Sequence, residues 1–109
     1  MRSNCGAWNV PPVDRAIRDV TESSIPTLVI SAQYDAQTAP SFGPLVARTL
    51  PNATVVEIPN VAHVAFGSPS PAANACAQSI VRDFFEVLNA VDTSCAPRVP
   101  PTDFVITTR

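Results

Sequence analysis

Two short apolar segments, residues 27–32 and 53–58, limit most what this chain can fold into. Both are rich in β-branched residues, and the first is apolar on both faces, as in a strand of a parallel sheet that helices cover. Between them, apolar residues recur at the helical spacing from Ser41 to about Leu50. These residues are Phe42, Leu45, Val46, Thr49 and Leu50. A strand–helix–strand unit of this kind is a right-handed crossover between parallel strands.

A longer helix is predicted after the second strand. Ser70 as the N-cap and Pro71 at the first helical position mark its start. Its buried stripe is expected to comprise Ala73, Ala77, Ile80, Val81, Phe84, Phe85 and Leu88. About two helical turns are also predicted within residues 13–20. Two strands and two main helices form an incomplete α/β sheet with unpaired edges, so this segment needs a neighbour.

The prolines predict how the chain is organised along its length. There are twelve prolines and three glycines, and five of the prolines lie near the two ends. This distribution is typical of an ordered middle flanked by extended arms. We therefore divide the chain into a lead-in arm (1–24), an α/β segment (25–91) and a Pro-rich tail (92–109).

Charge and hydropathy exclude several classes of partner. The net charge of −2 and a sequence pI near 5.1 give no basic surface for nucleic acid or an anionic membrane. The longest apolar run is too short to span a bilayer. No apolar segment follows Arg2, so no signal peptide is expected on this chain. No pattern indicates a cofactor, and the cysteine spacings fit no metal site.

The three cysteines, Cys5, Cys76 and Cys95, leave two interpretations open. A bridge between Cys76 and Cys95 would tie the tail to the long helix and contribute roughly 3 kcal/mol to stability. It would also indicate an oxidising compartment and leave Cys5 without a partner in the chain. Alternatively, all three are inert thiols.

Asp35 and His63 are the candidate catalytic residues. Each follows a predicted strand, and the carboxyl ends of parallel strands meet at the sheet edge where α/β proteins build their sites. Asp35 is therefore expected to accept the Nδ1 proton of His63, which leaves Nε2 to take a proton from a nucleophile. Taken singly, a loop aspartate is commonly a turn residue and a lone histidine is commonly solvated. Their order, acid and then base, matches the last two members of an α/β-hydrolase triad.

A nucleophile for these residues is not found in the sequence. A nucleophile elbow reads G-x-S-x-G, and none of Gly6, Gly43 and Gly67 brackets a serine in this way. Ser68 and Ser70 lie near His63, but Ser70 is the predicted helix cap. The catalytic serine is therefore not expected on this chain.

The acid and base belong to a longer pattern. It comprises Cys5-x-x-Trp8, the run Ile-Pro-Thr-Leu-Val-Ile-Ser-Ala-Gln-Tyr-Asp at 25–35, Thr38, Pro40, His63, Cys76 and Cys95. The pattern resembles the C-terminal region of the TAP-like hydrolases, bacterial serine peptidases of the tripeptidyl aminopeptidase type that are secreted or associated with the cell envelope. The resemblance extends from about Cys5 to Ala96.

This resemblance implies a fold, a pairing of cysteines and residue roles. The fold would be the C-terminal portion of an α/β-hydrolase, with Asp35 as triad acid and His63 as triad base. Cys76 would pair with Cys95, and Cys5 with a cysteine of an N-terminal portion. This chain departs from the family at Ala62 and Val64, where glycine usually precedes and often follows the histidine. It also has one additional residue, Ala39, in the D-x-x-T-P loop.

Three functions are compatible with these observations. The first is the acid- and base-bearing segment of a serine peptidase, inactive alone and completed by an N-terminal portion that carries the serine and by a peptide substrate. The second is a small non-catalytic α/β binding module. The third is a segment of an esterase or lipase relative, because an Asp–His pair does not distinguish ester from amide substrates. The resemblance implies a secreted or envelope location.

Overall fold

The protein is represented by a computed structural model that describes residues 7–9, 11–101 and 103. Its regular elements are, in chain order, a 3₁₀ helix at Arg15–Arg18, strand β1 at Thr27–Ala32, helix α1 at Phe42–Ala47, strand β2 at Ala53–Ile58, helix α2 at Pro71–Val87 and a 3₁₀ helix at Ala96–Arg98. Cys5 lies outside the described residues, so its predicted external partner stays a prediction.

The two strands lie side by side in parallel. Thr27 is opposite Ala53 at one end of the pair, and Ala32 is opposite Ile58 at the other. Both strands and their parallel pairing are therefore confirmed, and together with the helices they form a partial α/β fold. Within the described residues the sheet has these two strands only. The loops that follow β1 and β2 leave the sheet at the same edge.

Helix α2 covers one side of the sheet. It begins as predicted: Pro71 is at the start, and the Ser70 side chain accepts a hydrogen bond from the backbone N–H of Ala73. Its first half is buried, with Ala73, Ala77 and Ile80 fully enclosed beside Ile58. The predicted burial of Phe85 and Leu88 is wrong, since they are 75% and 45% exposed. No described residue covers that end of the helix.

Helix α1 differs from its prediction in length and in orientation. It ends at Ala47, not near Leu50, and the Ser41 side chain makes no capping hydrogen bond. Gly43 is its buried residue. It lies so close to β1 that a Cβ at this position would be 2.6 Å from the Ser31 Oγ. The glycine allows a close approach to the sheet. The predicted stripe of Phe42, Leu45 and Val46 remains half exposed.

The predicted Pro-rich tail contributes to the core. A disulfide joins Cys76 of α2 to Cys95, which resolves the two interpretations of these cysteines. Ala96 and Val99 then pack into the same core as Ile58 and Ile80. The backbone N–H of Asp92 donates to the Asp83 carboxylate at 2.6 Å.

No helix of the described residues is long and apolar enough to cross a membrane.

The lead-in arm is attached to the turn between α1 and β2. Thr49 Oγ1 donates to the carbonyl of Thr21 at 2.7 Å, and Asn52 Nδ2 donates to that of Ser24 at 2.6 Å. The helical turns predicted within 13–20 are one short 3₁₀ helix. The apolar residues within and beside it, Val13, Ile17 and Val20, are exposed.

Candidate active site

The acid loop, residues 33–41 between β1 and α1, holds Asp35 in a fixed orientation. Asp35 lies three residues beyond the end of β1, and its Oδ1 accepts hydrogen bonds from the backbone N–H groups of Gln37 and Thr38, both at 2.8 Å. A short side chain that closes a turn on its own following backbone is a common role of aspartate. Here the turn uses only one carboxylate oxygen, and Oδ2 remains available.

The same contacts favour the ionised form of the acid. The Thr38 N–H lowers the pKa of Asp35 most, and the hydrogen bonds from His63 and Gln37 lower it further, while partial burial opposes them. Asp35 is therefore a carboxylate at neutral pH, with acceptors and no proton of its own to donate.

The base loop, residues 59–70 between β2 and α2, brings His63 to that carboxylate. His63 lies five residues beyond the end of β2, and its Nδ1 is 2.8 Å from Asp35 Oδ2. Since the carboxylate only accepts, Nδ1–H is the donor in this bond. The side chain of Asp35 is 8% exposed and that of His63 is 44% exposed. The acid is thus enclosed behind the base, and the imidazole is reachable from solvent.

Three hydrogen bonds join the two loops beside this pair. Gln33 N–H donates to the carbonyl of Ile58 at 3.0 Å, and Tyr34 N–H donates to that of Val61 at 2.9 Å. The Gln33 side-chain oxygen accepts from the backbone N–H of Asn60 at 2.9 Å. These bonds continue the parallel pairing past the strand ends, so the acid and base loops are held in register with each other.

The backbone at Val64 is strained. Val64 follows His63 directly and has a φ of 69°, in the left-handed region that β-branched residues avoid. This is the position where the resemblance leads one to expect glycine. Ala62, the other departure, is not among the residues with positive φ. The substitution at 64 therefore has a conformational cost, and the backbone still adopts the turn.

A cavity of about 410 Å³ opens beside the pair. Asp35 and His63 are among its lining residues, together with β1 residues. Its apolar wall includes Val29, Phe42, Val46, Val64 and Phe66. The cavity places apolar surface next to an accessible imidazole, as ligand sites commonly do.

Within the described residues, no three His, Cys, Asp or Glu side chains come close enough to bind a metal ion.

The two serines nearest His63 in sequence have structural roles. Ser68 Oγ accepts from the backbone N–H of Ser70 at 3.2 Å, and Ser70 Oγ caps α2. Neither hydroxyl hydrogen-bonds the imidazole, whose described polar contact is Asp35. The pair can orient and deprotonate a nucleophile that reaches Nε2, but these serines do not occupy that position.

Comparison with known proteins identifies the family of the chain. The family model of the TAP-like proteins, which are α/β-hydrolases, matches residues 1–95 of the 109. The chain belongs to the TAP-like family. The match covers both strands, both helices and the two loops that carry Asp35 and His63. No curated protein matches the chain, and no solved structure matches it.

Residues that support this TAP-like site were not predicted individually. Gln33 and Asn60 bond the two loops together, and Asn60 Nδ2 also donates to the carbonyl of Val99 at 3.0 Å. Asn60 has a φ of 61°, a conformation that asparagine tolerates better than most residues. An asparagine directly after the strand and Pro59 is the signal that could have indicated such a turn.

Proposed function

We propose that this chain supplies the acid and the base of a serine hydrolase of the tripeptidyl aminopeptidase type. The 2.8 Å hydrogen bond between His63 Nδ1 and Asp35 Oδ2, at the carboxyl edge of two parallel strands, carries the proposal. Asp35 holds the imidazole in one tautomer and stabilises its protonated form. His63 takes the proton of a serine hydroxyl through Nε2 and later returns it to the leaving amine.

The serine comes, in this proposal, from an N-terminal hydrolase portion. The cavity beside Asp35 and His63 and the half-exposed apolar face of α1 provide surface against which such a portion can pack. Residues 25–91 act as the segment bearing acid and base, and Cys5 bonds to a cysteine of the same portion. Without an activated nucleophile the chain alone does not turn over substrate.

The proposed substrates are peptides, from which the complete enzyme releases short N-terminal pieces by acyl transfer. The proposed location is outside the cytoplasm, either secreted or at the cell envelope. The Cys76–Cys95 disulfide supports that location, since structural disulfides persist in oxidising compartments.

A non-catalytic binding module is the second candidate, and one observation favours it. Val64 keeps a strained φ of 69° directly after the base, at a position where glycine would remove the strain. A strained base loop is less expected in a site that natural selection maintains for catalysis. An esterase or lipase relative remains a third candidate, because an Asp–His pair does not distinguish ester substrates from amide substrates.

The coding sequence upstream of Met1 and an activity label together test the proposal. We expect G-x-S-x-G and one further cysteine upstream, and we expect a fluorophosphonate to label the joined product. His63→Ala should abolish labelling, with Ser68→Ala as the matched control that leaves it intact. Peptide and ester panels then separate a peptidase from an esterase. A stop codon just before Met1, with no serine-bearing partner gene nearby, supports the binding module.

A further inference from the structure

The C-terminal segment 92–99, here called the clasp, is fixed to the rest of the fold at three points. Its first residue donates its N–H to the Asp83 carboxylate at 2.6 Å. Cys95 is bonded to Cys76 of α2. Val99, at its end, is 6% exposed within the core. The clasp is therefore a well-anchored piece of backbone, although it contains little regular structure.

One side chain hydrogen-bonds the clasp to the active-site loops. Asn60 Nδ2 donates to the carbonyl of Val99 at 3.0 Å, across 39 residues of sequence. The backbone N–H of the same residue donates to the Gln33 side chain in the acid loop. Asn60 begins the base loop that leads to His63, so it is bonded at once to the clasp and to the acid loop.

The backbone conformation of Asn60 depends on the hydrogen bonds that hold it. Asn60 has a φ of 61°, in the small left-handed region that few side-chain-bearing residues adopt and that asparagine tolerates best. Such a conformation persists when surrounding contacts hold it. If the bond to Val99 is lost, the loop start can relax, and His63 lies only three residues further along the chain.

We propose that Asn60 is a positioning residue, through which the disulfide-anchored clasp holds His63 Nδ1 against Asp35. The proposal extends the proposed function, on which its catalytic meaning rests. The hydrogen bond that it concerns is, however, a property of this chain alone. The disulfide thereby supports the acid–base pair as well as the fold.

The test compares two asparagines that make the same kind of bond at opposite ends of β2. Asn60→Asp removes the donor to Val99 and keeps side-chain size and tolerance of positive φ. Asn52→Asp is the matched control, because Asn52 Nδ2 donates to the carbonyl of Ser24 at 2.6 Å, far from the clasp. The readout is the ¹⁵N spectrum of the His63 ring in the full 109-residue chain at alkaline pH, which reports which nitrogen carries the hydrogen.

In the wild type and in Asn52→Asp we expect the hydrogen on Nδ1. In Asn60→Asp we expect that preference to be lost, with the hydrogen divided between both nitrogens. Reduction of Cys76–Cys95 removes one of the three anchors of the clasp, so it should weaken the preference in the same direction. It should add nothing in Asn60→Asp, because both changes act through the contact between Val99 and Asn60. Should Asn60→Asp not fold, Asn60→Gly takes its place, since glycine adopts positive φ without strain.

Several results would overturn the proposal. One is an unchanged ring spectrum in a folded Asn60 variant, and another is an equal change in Asn52→Asp. Insensitivity of the spectrum to reduction would also contradict it, as would failure of both Asn60 variants to fold. Failure of the proposed function looks different. In that case the joined product shows no fluorophosphonate labelling, while the ring spectrum of this chain responds as stated.

Discussion

The backbone N–H of Thr38 donates to Asp35 Oδ1 at 2.8 Å and lowers the pKa of that carboxyl more than any other contact does. The hydrogen bond from His63 and the charge of His63 lower the pKa further, each by less than the Thr38 bond does. An aspartate is already ionised at neutral pH at its ordinary pKa. These contacts strengthen that preference, and the loop supplies its largest single contribution.

Acid should destabilise the fold through Asp35. A carboxyl whose pKa is lowered in the folded state adds stability above its unfolded value of about 3.9, and this stability is lost as the pH falls through the folded value. Asp35→Asn should therefore flatten the dependence of Tm on pH in the acid range. Asp19→Asn, which removes a charge at the exposed end of the first 3₁₀ helix, is the matched control. An unaltered acid slope in Asp35→Asn contradicts the prediction.

A second carboxyl should contribute to the same acid transition. The pKa of Asp92 is lowered, first by the backbone N–H of Ser94, which donates to its Oδ1 at 2.8 Å, and also by the Arg98 charge. Asp92→Asn should remove part of the remaining slope, and the double variant with Asp35→Asn should show the flattest profile. Thermal melts at a series of pH values check this. Equal slopes in the single and double variants argue against two independent groups.

Replacing Val64 with glycine should stabilise the protein. A β-branched residue at a φ of 69° carries a conformational cost of about 1–2 kcal/mol, and glycine removes it at an entropic cost of about 0.5–1 kcal/mol. The expected net gain is on the order of 1 kcal/mol in urea unfolding. Val64→Ala is the matched control, because it shortens the side chain and keeps the strain. If alanine stabilises as much as glycine, the effect does not come from the backbone.

Gly43 should not accept a β-branched side chain. A Cβ there would lie 2.6 Å from Ser31 Oγ, and further atoms would meet Val55 and Val29, whose methyl groups are 3.5 and 3.6 Å from that Cβ. Gly43→Val should therefore cost about 1–3 kcal/mol of unfolding free energy. Leu45→Val introduces the same side chain on the half-exposed side of α1 and should change stability little. Similar losses in both variants would refute the close approach of helix and sheet.

The disulfide should contribute substantially to stability. By the chain-entropy model, a bridge between cysteines 19 residues apart is worth about 3 kcal/mol. The double variant Cys76→Ser/Cys95→Ser should lose roughly that amount in urea unfolding. Peptide mapping without reductant should recover the two segments joined. Recovery of both cysteines as free thiols from the oxidised protein contradicts the pairing.

The sequence predicted best those features that depend on local pattern. Both strands, their parallel pairing and the start of α2 follow from β-branched runs and from Ser70–Pro71, where the information lies within a few residues. The placement of Asp35 and His63 in neighbouring loops follows from the same topology. Their roles in catalysis stay a prediction.

Packing between elements could not be predicted in the same way. The helical spacing of Phe42, Leu45 and Val46 predicts an apolar face, but these residues are half exposed. Gly43 lies against the sheet, because the smallest residue permits the closest approach. Phe85 repeats the helical spacing, yet it is 75% exposed, and its described ring contact is with the neighbouring Phe84. Periodicity identifies an apolar face, and only the neighbouring elements decide whether it is covered.

The arrangement of β1 has a practical consequence for the isolated polypeptide. In the described part of the chain β1 has one neighbouring strand, so the N–H and C=O groups of its other edge are a template for any extended chain. Residues 25–34 contain no charged side chain to oppose such addition. Expressed by itself, the polypeptide is expected to grow into oligomers at high concentration and to collect in inclusion bodies. Light scattering should rise with concentration, and Ile25→Lys, at an exposed position just before β1, should suppress the rise.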